Sequence, residues 1–284
     1  MGQWLLTMRD YTKDKLTLAD YHRYTSRELD SIFELTDDLK INKEFNEETG
    51  LRYVTVHDLF KRPDEVIDFL KDIPSEDRTK SIVEDRFTYM SSNAPGFQQP
   101  LESKLVAQLG DNIYSLGKDT GLHKYERGQC SLEYYTNTCY PKMKSCQTNW
   151  LPHVDPFSIA CNMYLTQCNN TGTSFFRFVT TSGKKYYSTL QLGRSRQACE
   201  EFRSKYEDNR SEYTQGPQEG TQVSDWVYYL GDSEDEPLPK FERYAYIKAD
   251  RNMLSMYRGN RWHGITYDAD NEENIRYSLV GVIK

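Results

Sequence analysis

The sequence predicts an α+β, mainly β fold, a sandwich or barrel of short strands braced by helices that come first in the chain. Three observations predict it. Apolar residues recur at helical spacing only before about residue 120. From about residue 130 onward, short segments rich in tyrosine, phenylalanine, threonine and valine alternate with turn residues. The 22 tyrosines are amphipathic side chains that suit half-buried sheets.

Taken in order, Thr25-Ser26-Arg27-Glu28 is a capping-box pattern, and Leu29, Ile32, Phe33 and Leu39 follow at roughly helical spacing. This predicts an amphipathic helix over 25–39. The charged stretch from Lys40 to Gly50 reads as a linker, so residues 1–48 form an N-terminal helical extension and 49–284 the main domain. Tyr53-Val54-Thr55-Val56 has strand character. Pro63, followed by Asp64 and Glu65, opens a helix carrying Val66, Phe69, Leu70 and Ile73. Leu101, Leu105, Val106, Leu109, Ile113 and Leu116 predict a second helix over 101–116. Short strands follow. Between about 180 and 240 the chain is polar and irregular, including Gln215-Gly216-Pro217 and the acidic run Asp232 to Glu236, and reads as a long insertion, either a lid or binding loop or simply a solvated one. The segment Asn274 to Ile283 reads as a terminal strand. No internal repeat is present.

Composition narrows the class. With 37% hydrophobic residues, 284 residues bury a sizeable core. A mean hydropathy of -0.82 leaves no apolar run near the roughly 20 residues that cross a bilayer, so no membrane partner is expected. The opening MGQWLLTMRDYTKDKL has too short an apolar patch for a secretory signal, which predicts a cytoplasmic protein. Six cysteines without a CxxC pair read as free thiols rather than a disulfide frame or zinc site. A net charge of -7 argues against a large nucleic-acid surface, though a local basic groove is compatible with it. Nothing in the pattern specifies an oligomeric state.

Five histidines limit any metal site to few members. His153-Val154-Asp155 places two ligand types at i and i+2, which an extended strand presents on one face. That triplet alone is weak, because it arises often by chance. Support comes from Met256-Tyr257-Arg258-Gly259-Asn260-Arg261-Trp262-His263, which sets a histidine after a turn-prone stretch 110 residues beyond His153. Arg276 then stands 13 residues further on, in an otherwise apolar strand. Two imidazoles and a carboxylate occupy one face of an octahedral ion and leave three positions open, as oxygen-activating iron(II) sites require. A bidentate 2-oxo acid fills two of these positions and dioxygen the third. The planar fork of Arg276 suits the acid's distal carboxylate, and Ser278, at i+2, adds a hydroxyl. Taken by itself Arg276 would read as a surface ion pair, but inside an otherwise apolar strand at this offset from His263 it reads as a functional cation.

In this order the residues resemble the iron(II)- and 2-oxoglutarate-dependent dioxygenases, whose core is a double-stranded β-helix, or jelly roll. His153, Asp155 and His263 stand where that family's facial triad stands, and Arg276-x-Ser278 resembles its RxS motif. The prolyl-hydroxylase-like branch is nearest. Tyr164-Leu165 matches that branch's tyrosine-leucine pair, whose tyrosine touches the co-substrate, and Gly172-Thr173-Ser174-Phe175-Phe176 is similar to its glycine-threonine-phenylalanine segment. Pro152 to Pro156, the Asn-Thr-Gly-Thr-Ser-Phe stretch and Arg62-Pro63-Asp64-Glu65-Val66 are similar to an uncharacterised bacterial and phage oxygenase-like domain; the setting would then be the host cytoplasm for a phage protein. The resemblance covers about residues 51 to 284. It implies Fe(II), 2-oxoglutarate and O2, with release of succinate and CO2 and hydroxylation of a protein or peptide side chain or a small amino-acid-like molecule. Two departures qualify it: the basic residue of this branch usually lies closer to the second histidine, and the 180–240 insertion is long. Tyr164 is equally an ordinary strand tyrosine, Trp262 reads as packing on the sheet, and Cys161 and Cys168 as core thiols. The rival expectations are a non-catalytic jelly-roll binding or structural module with a vestigial metal site, and a cupin-like metalloenzyme.

Overall fold

Two antiparallel sheets, one of eight strands and one of five, meet through a shared layer of buried side chains. The computed structural model describes residues 26–71, 79–80, 86–90, 105, 108–112, 116, 132–139, 152–155, 159–167, 172–207, 227–230, 237–266 and 276–283. The larger sheet runs in the order β1 (Lys40–Asn46), β2 (Leu51–His57), β11 (Met253–Arg258), β6 (Ile159–Tyr164), β13 (Arg276–Ile283), β5 (Leu132–Cys139), β4 (Arg86–Met90) and β3 (Thr79–Lys80). The smaller runs β12 (His263–Thr266), β7 (Gly172–Val179), β10 (Lys240–Lys248) and β9 (Val227–Tyr229), with β8 (Lys185–Tyr186) paired to β7. The architecture is therefore mainly β, as the sequence predicts.

Alternation along the strands sorts their side chains into layers. On β6, Ile159, Cys161 and Met163 face an aliphatic cluster completed by Val54 and Val56 of β2 and Leu254 and Met256 of β11. Helices cover this face. Helix α1 (Ser26–Ile32) leads into Phe33, and α2 (Pro63–Lys71) contributes Val66, Ile67 and Phe69. Pro63 at the first helical position and Asp64 and Glu65 in the first turn explain why α2 starts where it does. Leu105, Leu109 and Leu116 occupy helical positions and join the same cluster; Leu101, Val106 and Ile113 lie outside the described residues.

The opposite faces of β6 and β11 carry Ala160, Tyr164, Met253 and Tyr257, which meet Phe175 of β7 and Ile247 of β10 between the sheets. Gly172 is required here, because a Cβ at that position would stand 2.0 Å from the Ile247 carbonyl oxygen. The outer face of the smaller sheet carries Phe176, Phe178 and Phe241. These pack with Trp262, Phe202 and Tyr206 in an aromatic cluster whose neighbouring ring centroids are 5.0–6.4 Å apart.

Three expectations are corrected. The first helix ends at Ile32 rather than 39, because the Thr36 amide donates to the Leu59 carbonyl and Leu35 bridges to Phe60, committing the chain to an extended course. The stretch from Lys40 to Gly50 is not a linker. Residues 40–46 pair with β2 across seven positions, from Lys40 opposite His57 to Asn46 opposite Leu51. As an edge strand exposed at every position but Ile41, β1 carries charge where an inner strand would carry valine or isoleucine. The described part of the 180–240 stretch is also regular: it holds β8, helices Thr189–Leu192 and Arg196–Phe202, the π-helical turn Arg203–Glu207 and β9. Ser188 and Ser195 cap the two helices by accepting from the amides of Gln191 and Ala198. None of the described helices is long and apolar enough to cross a membrane.

Candidate metal centre

Residue 153 and residue 263 lie directly opposite each other in a short antiparallel bridge. The His153 amide donates to the His263 carbonyl at 2.9 Å and the His263 amide returns to the His153 carbonyl at 2.8 Å. Such a reciprocal pair puts two side chains on one face of the sheet, and the imidazole centroids are 4.5 Å apart. The Asp155 amide donates to the Gly259 carbonyl at 3.0 Å, holding the second half of the triplet along the same loop. One ligand atom from each of His153, Asp155 and His263 can be chosen so that all three lie within 4.8 Å of one another. The 110-residue separation in sequence closes to a single cluster.

What aims these side chains is packing behind them. Val154, between the two potential ligands, packs against the aromatic cluster, and Trp262, just before His263, is 1% exposed within it. The Tyr206 hydroxyl donates to the Pro152 carbonyl. Alternation then forces His153 and Asp155, flanking Val154, to the other face.

The imidazole of His263 is buried, and its Nδ1 lies 2.8 Å from the Arg261 carbonyl oxygen. A carbonyl only accepts, so Nδ1 carries a hydrogen, and Nε2 is the ring atom turned to the cluster, where a proton or a metal can occupy it. Nε2 stands 3.2 Å from Asp155 Oδ2. Burial would raise the Asp155 carboxyl, but the charges of the two imidazoles and the hydrogen bond from His263 outweigh it and hold the group below the usual carboxylate range. Burial would lower His263; the adjacent Asp155 carboxylate, reinforced by the bond to Arg261, raises it instead. Two nitrogen donors and one carboxylate, one imidazole already fixed in its tautomer, fit a divalent iron centre with open positions.

Inward from the triad runs a row of polar side chains between the sheets. Tyr257 packs edge-on against His263, with centroids 5.0 Å apart. Asn162 Nδ2 donates to the Tyr257 hydroxyl at 2.9 Å and to Thr173 Oγ1 at 3.2 Å, and Tyr164 and Thr173 share a hydroxyl contact of 2.6 Å. Burial, with the Asp155 charge, pushes the Tyr257 phenol well above its ordinary range, so it stays protonated. Ser278 is fully buried and pairs directly across from Tyr164 in the β13–β6 register. Ser255, also fully buried, leaves its hydroxyl without a hydrogen-bond partner. The structure thus brings Ser278 and Tyr164 together. Arg276 is placed by its backbone, opposite Cys139 of β5; its side chain lies outside the described residues.

Asn162, Thr173 and Tyr257 escaped the sequence reading. A signal existed for two of them: Asn162 precedes Tyr164 by two positions on the same strand face, and Thr173 lies in the Gly-Thr-Ser-Phe-Phe segment. Cys161 is a core thiol, as expected, with burial pushing its pKa up to about 12. Cys168 lies outside the described residues.

Residues 51–274 match the model of a family of unknown function, DUF6445. The chain belongs to that family. No curated protein matches its sequence. Among solved structures this DUF6445 member is similar to prolyl 4-hydroxylases and Fe(II)/2-oxoglutarate dioxygenases. One is a prolyl 4-hydroxylase from Phytophthora capsici, at 11% identity and a TM-score of 0.39, covering 96% of this chain and 67% of that one. Another is a Pseudomonas putida prolyl-4-hydroxylase, at 10% identity and 0.37, covering 91% and 97%. A third is an N-substituted L-amino acid dioxygenase from Burkholderia ambifaria, at 12% identity and 0.30, covering 81% of each chain. The DUF6445 match spans all three members of the candidate metal cluster.

Proposed function

We propose that this DUF6445 protein is an iron(II)- and 2-oxoglutarate-dependent oxygenase that hydroxylates a protein or peptide side chain or a small amino-acid-like substrate. The observation that carries the reading is the convergence of His153, Asp155 and His263 at one end of a buried polar row that an apolar sandwich has no structural need of. On this reading residues 49–284 are the catalytic unit, a double-stranded β-helix, and the described part of the N-terminal extension adds α1, the core residues Phe33 and Leu35 and edge strand β1 to it.

His153, Asp155 and His263 would hold the iron. The metal would supply dioxygen activation, and 2-oxoglutarate the electrons it consumes, leaving as succinate and CO2. The chain's own groups do the rest. Asp155 contributes one negative charge and the two imidazoles none, so an anionic co-substrate meets a site with positive charge to spare once a divalent ion is bound. The hydrogen bond from Nδ1 to the Arg261 carbonyl keeps Nε2 turned to the cluster, where a bound metal would replace its proton. Tyr164 and Ser278 offer hydroxyls, and Arg276 a guanidinium, to the distal carboxylate of the co-substrate. Tyr257, kept protonated by burial, remains a neutral neighbour rather than a competing anionic ligand. Phe175, Ala160 and Met253 keep water out of the layer behind.

Turnover tests this directly. Purified protein loaded with iron(II) and supplied with 2-oxoglutarate and air should release succinate slowly even without substrate, and His153→Ala should release none. A folded, iron-loaded protein that leaves 2-oxoglutarate untouched would favour the non-catalytic jelly-roll module.

A further inference from the structure

Arg261 is 6% exposed and has no carboxylate partner among the described residues. A cation buried without a counter-ion is costly, and here backbone carbonyls solvate it instead. Nη1 donates to the Thr49 carbonyl at 2.9 Å and to the Tyr187 carbonyl at 3.2 Å, and Nη2 donates to the Gly50 carbonyl at 2.6 Å. These acceptors belong to two separate elements, the turn joining β1 to β2 and the strand end after β8. The β1–β2 turn is shaped for the contact. Gly50 has φ +63°, and a Cβ there would stand 3.1 Å from Arg261 Nη2. Thr49, in turn, is held by its amide and hydroxyl on Asn46 Oδ1 at 3.0 and 3.1 Å. At the other end of the arginine, the Arg261 carbonyl accepts from His263 Nδ1 at 2.8 Å.

We infer that Arg261 is a positioning residue for the metal ligand His263, clamping the carbonyl that fixes its tautomer to a turn more than 200 residues away in sequence. This inference rests on the metal reading of the cluster. Its physical content is that one peptide unit serves two roles. The guanidinium fork locks the loop over residues 258–262 against the hairpin, and the locked carbonyl leaves His263 a single way to turn its ring. Thr49 and Gly50 lie before the segment that the DUF6445 match spans, so part of the support for the site comes from outside the family's matched region.

Three variants and two readouts test it. Imidazole nitrogen NMR on the metal-free protein reports the His263 tautomer, and cobalt(II) titration reports affinity and the ligand-field spectrum. The native protein should show Nδ1–H. Arg261→Ala should mix the tautomers, weaken cobalt(II) binding 10- to 100-fold and alter the visible spectrum. Arg261→Lys should restore part of both, and Gly50→Ala, which keeps the arginine and disturbs its acceptor, should move both in the same direction by less. Phe33→Ala, in the cluster under the helices, serves as the control that lowers stability and moves neither. Native tautomer and native cobalt(II) affinity in Arg261→Ala, despite a lower melting temperature, would overturn the inference and leave the arginine a purely structural clamp. A native protein that binds no cobalt(II) would instead sink the metal reading, and the tautomer measurement would still judge the clamp.

Discussion

The two faces of the larger sheet differ in kind. The face under α1 and α2 is mainly aliphatic and aromatic, with Phe33, Val56, Leu59, Met163 and Leu165 buried, and Arg258, which follows Leu254 and Met256 on this face of β11, is tied down by donating Nε to the Leu116 carbonyl at 2.8 Å. The face toward the smaller sheet holds buried Tyr164, Ser255, Tyr257 and Ser278 and partly buried Asn162, and it meets Thr173 of β7 across the layer. The same strand, β6, supplies both: Ile159, Cys161 and Met163 outward, Ala160, Asn162 and Tyr164 inward. One face is specified by stability alone, and the other gives up apolar contact for a hydrogen-bonded row that ends at His263. A buried polar group costs free energy unless it is paired, and Ser255 in this layer is unpaired, so the layer is not the one that stability by itself would select.

That contrast yields a graded set of outcomes. The largest effect belongs to the cluster. His153→Ala or His263→Ala should abolish iron retention after desalting, measured by metal analysis, while the melting temperature of the metal-free protein moves little for the half-buried His153. Next comes the aliphatic face, where Met163→Ala should cost about 2–5 kcal/mol of unfolding free energy in denaturant titration and leave metal affinity unchanged. If it weakened metal binding as much as stability, the two faces would not be separable.

A pH effect follows in size. In the metal-free protein Asp155 lies below its unfolded value, so its contribution is present above that value and is lost as pH falls through the depressed folded one. His263 lies above its unfolded value, so its contribution is complete below the unfolded value and is lost as pH rises through the raised folded one. The pair therefore stabilises the metal-free protein in the window between those two folded values. A metal must displace the His263 proton, so affinity should rise with pH up to the raised His263 value and then level off, with proton release on binding measurable by calorimetry in buffers of different ionisation enthalpy. Flat affinity across that range would contradict the ion pair.

Smaller still is Tyr164→Phe. It removes the hydroxyl shared with Thr173 and should cost about 1 kcal/mol of stability while weakening 2-oxoglutarate binding more than iron binding. At the bottom of the scale, Lys40→Ala breaks an exposed ion pair with Asp58 at the far end of the sheet and should leave melting temperature and metal affinity unchanged.

Much of this was legible in the chain. The i, i+2 spacing of His153 and Asp155 and the turn before His263 marked the cluster, because strand alternation is a local rule. The strands of the second half and α2 were marked by composition and by Pro63 with its acidic followers. The row through Asn162, Thr173 and Tyr257 was not, because its members meet only through sheet register and stacking across the sandwich, which no local pattern encodes. Edge strand β1 was hidden by its own exposure: with only Ile41 partly covered, Lys40, Lys43 and Glu44 resemble a linker. Likewise the helices after β8 bury only Leu192, Ala198 and Phe202, too few apolar positions to stand out in a polar stretch.

The most direct test of the central claim is an anaerobic titration of metal-free protein with iron(II) and then 2-oxoglutarate, following the visible charge-transfer absorption of the chelate. The account predicts a band that requires both additions, vanishes in His153→Ala and weakens in Arg276→Ala. A folded protein that binds iron(II) and develops no band with 2-oxoglutarate would contradict it.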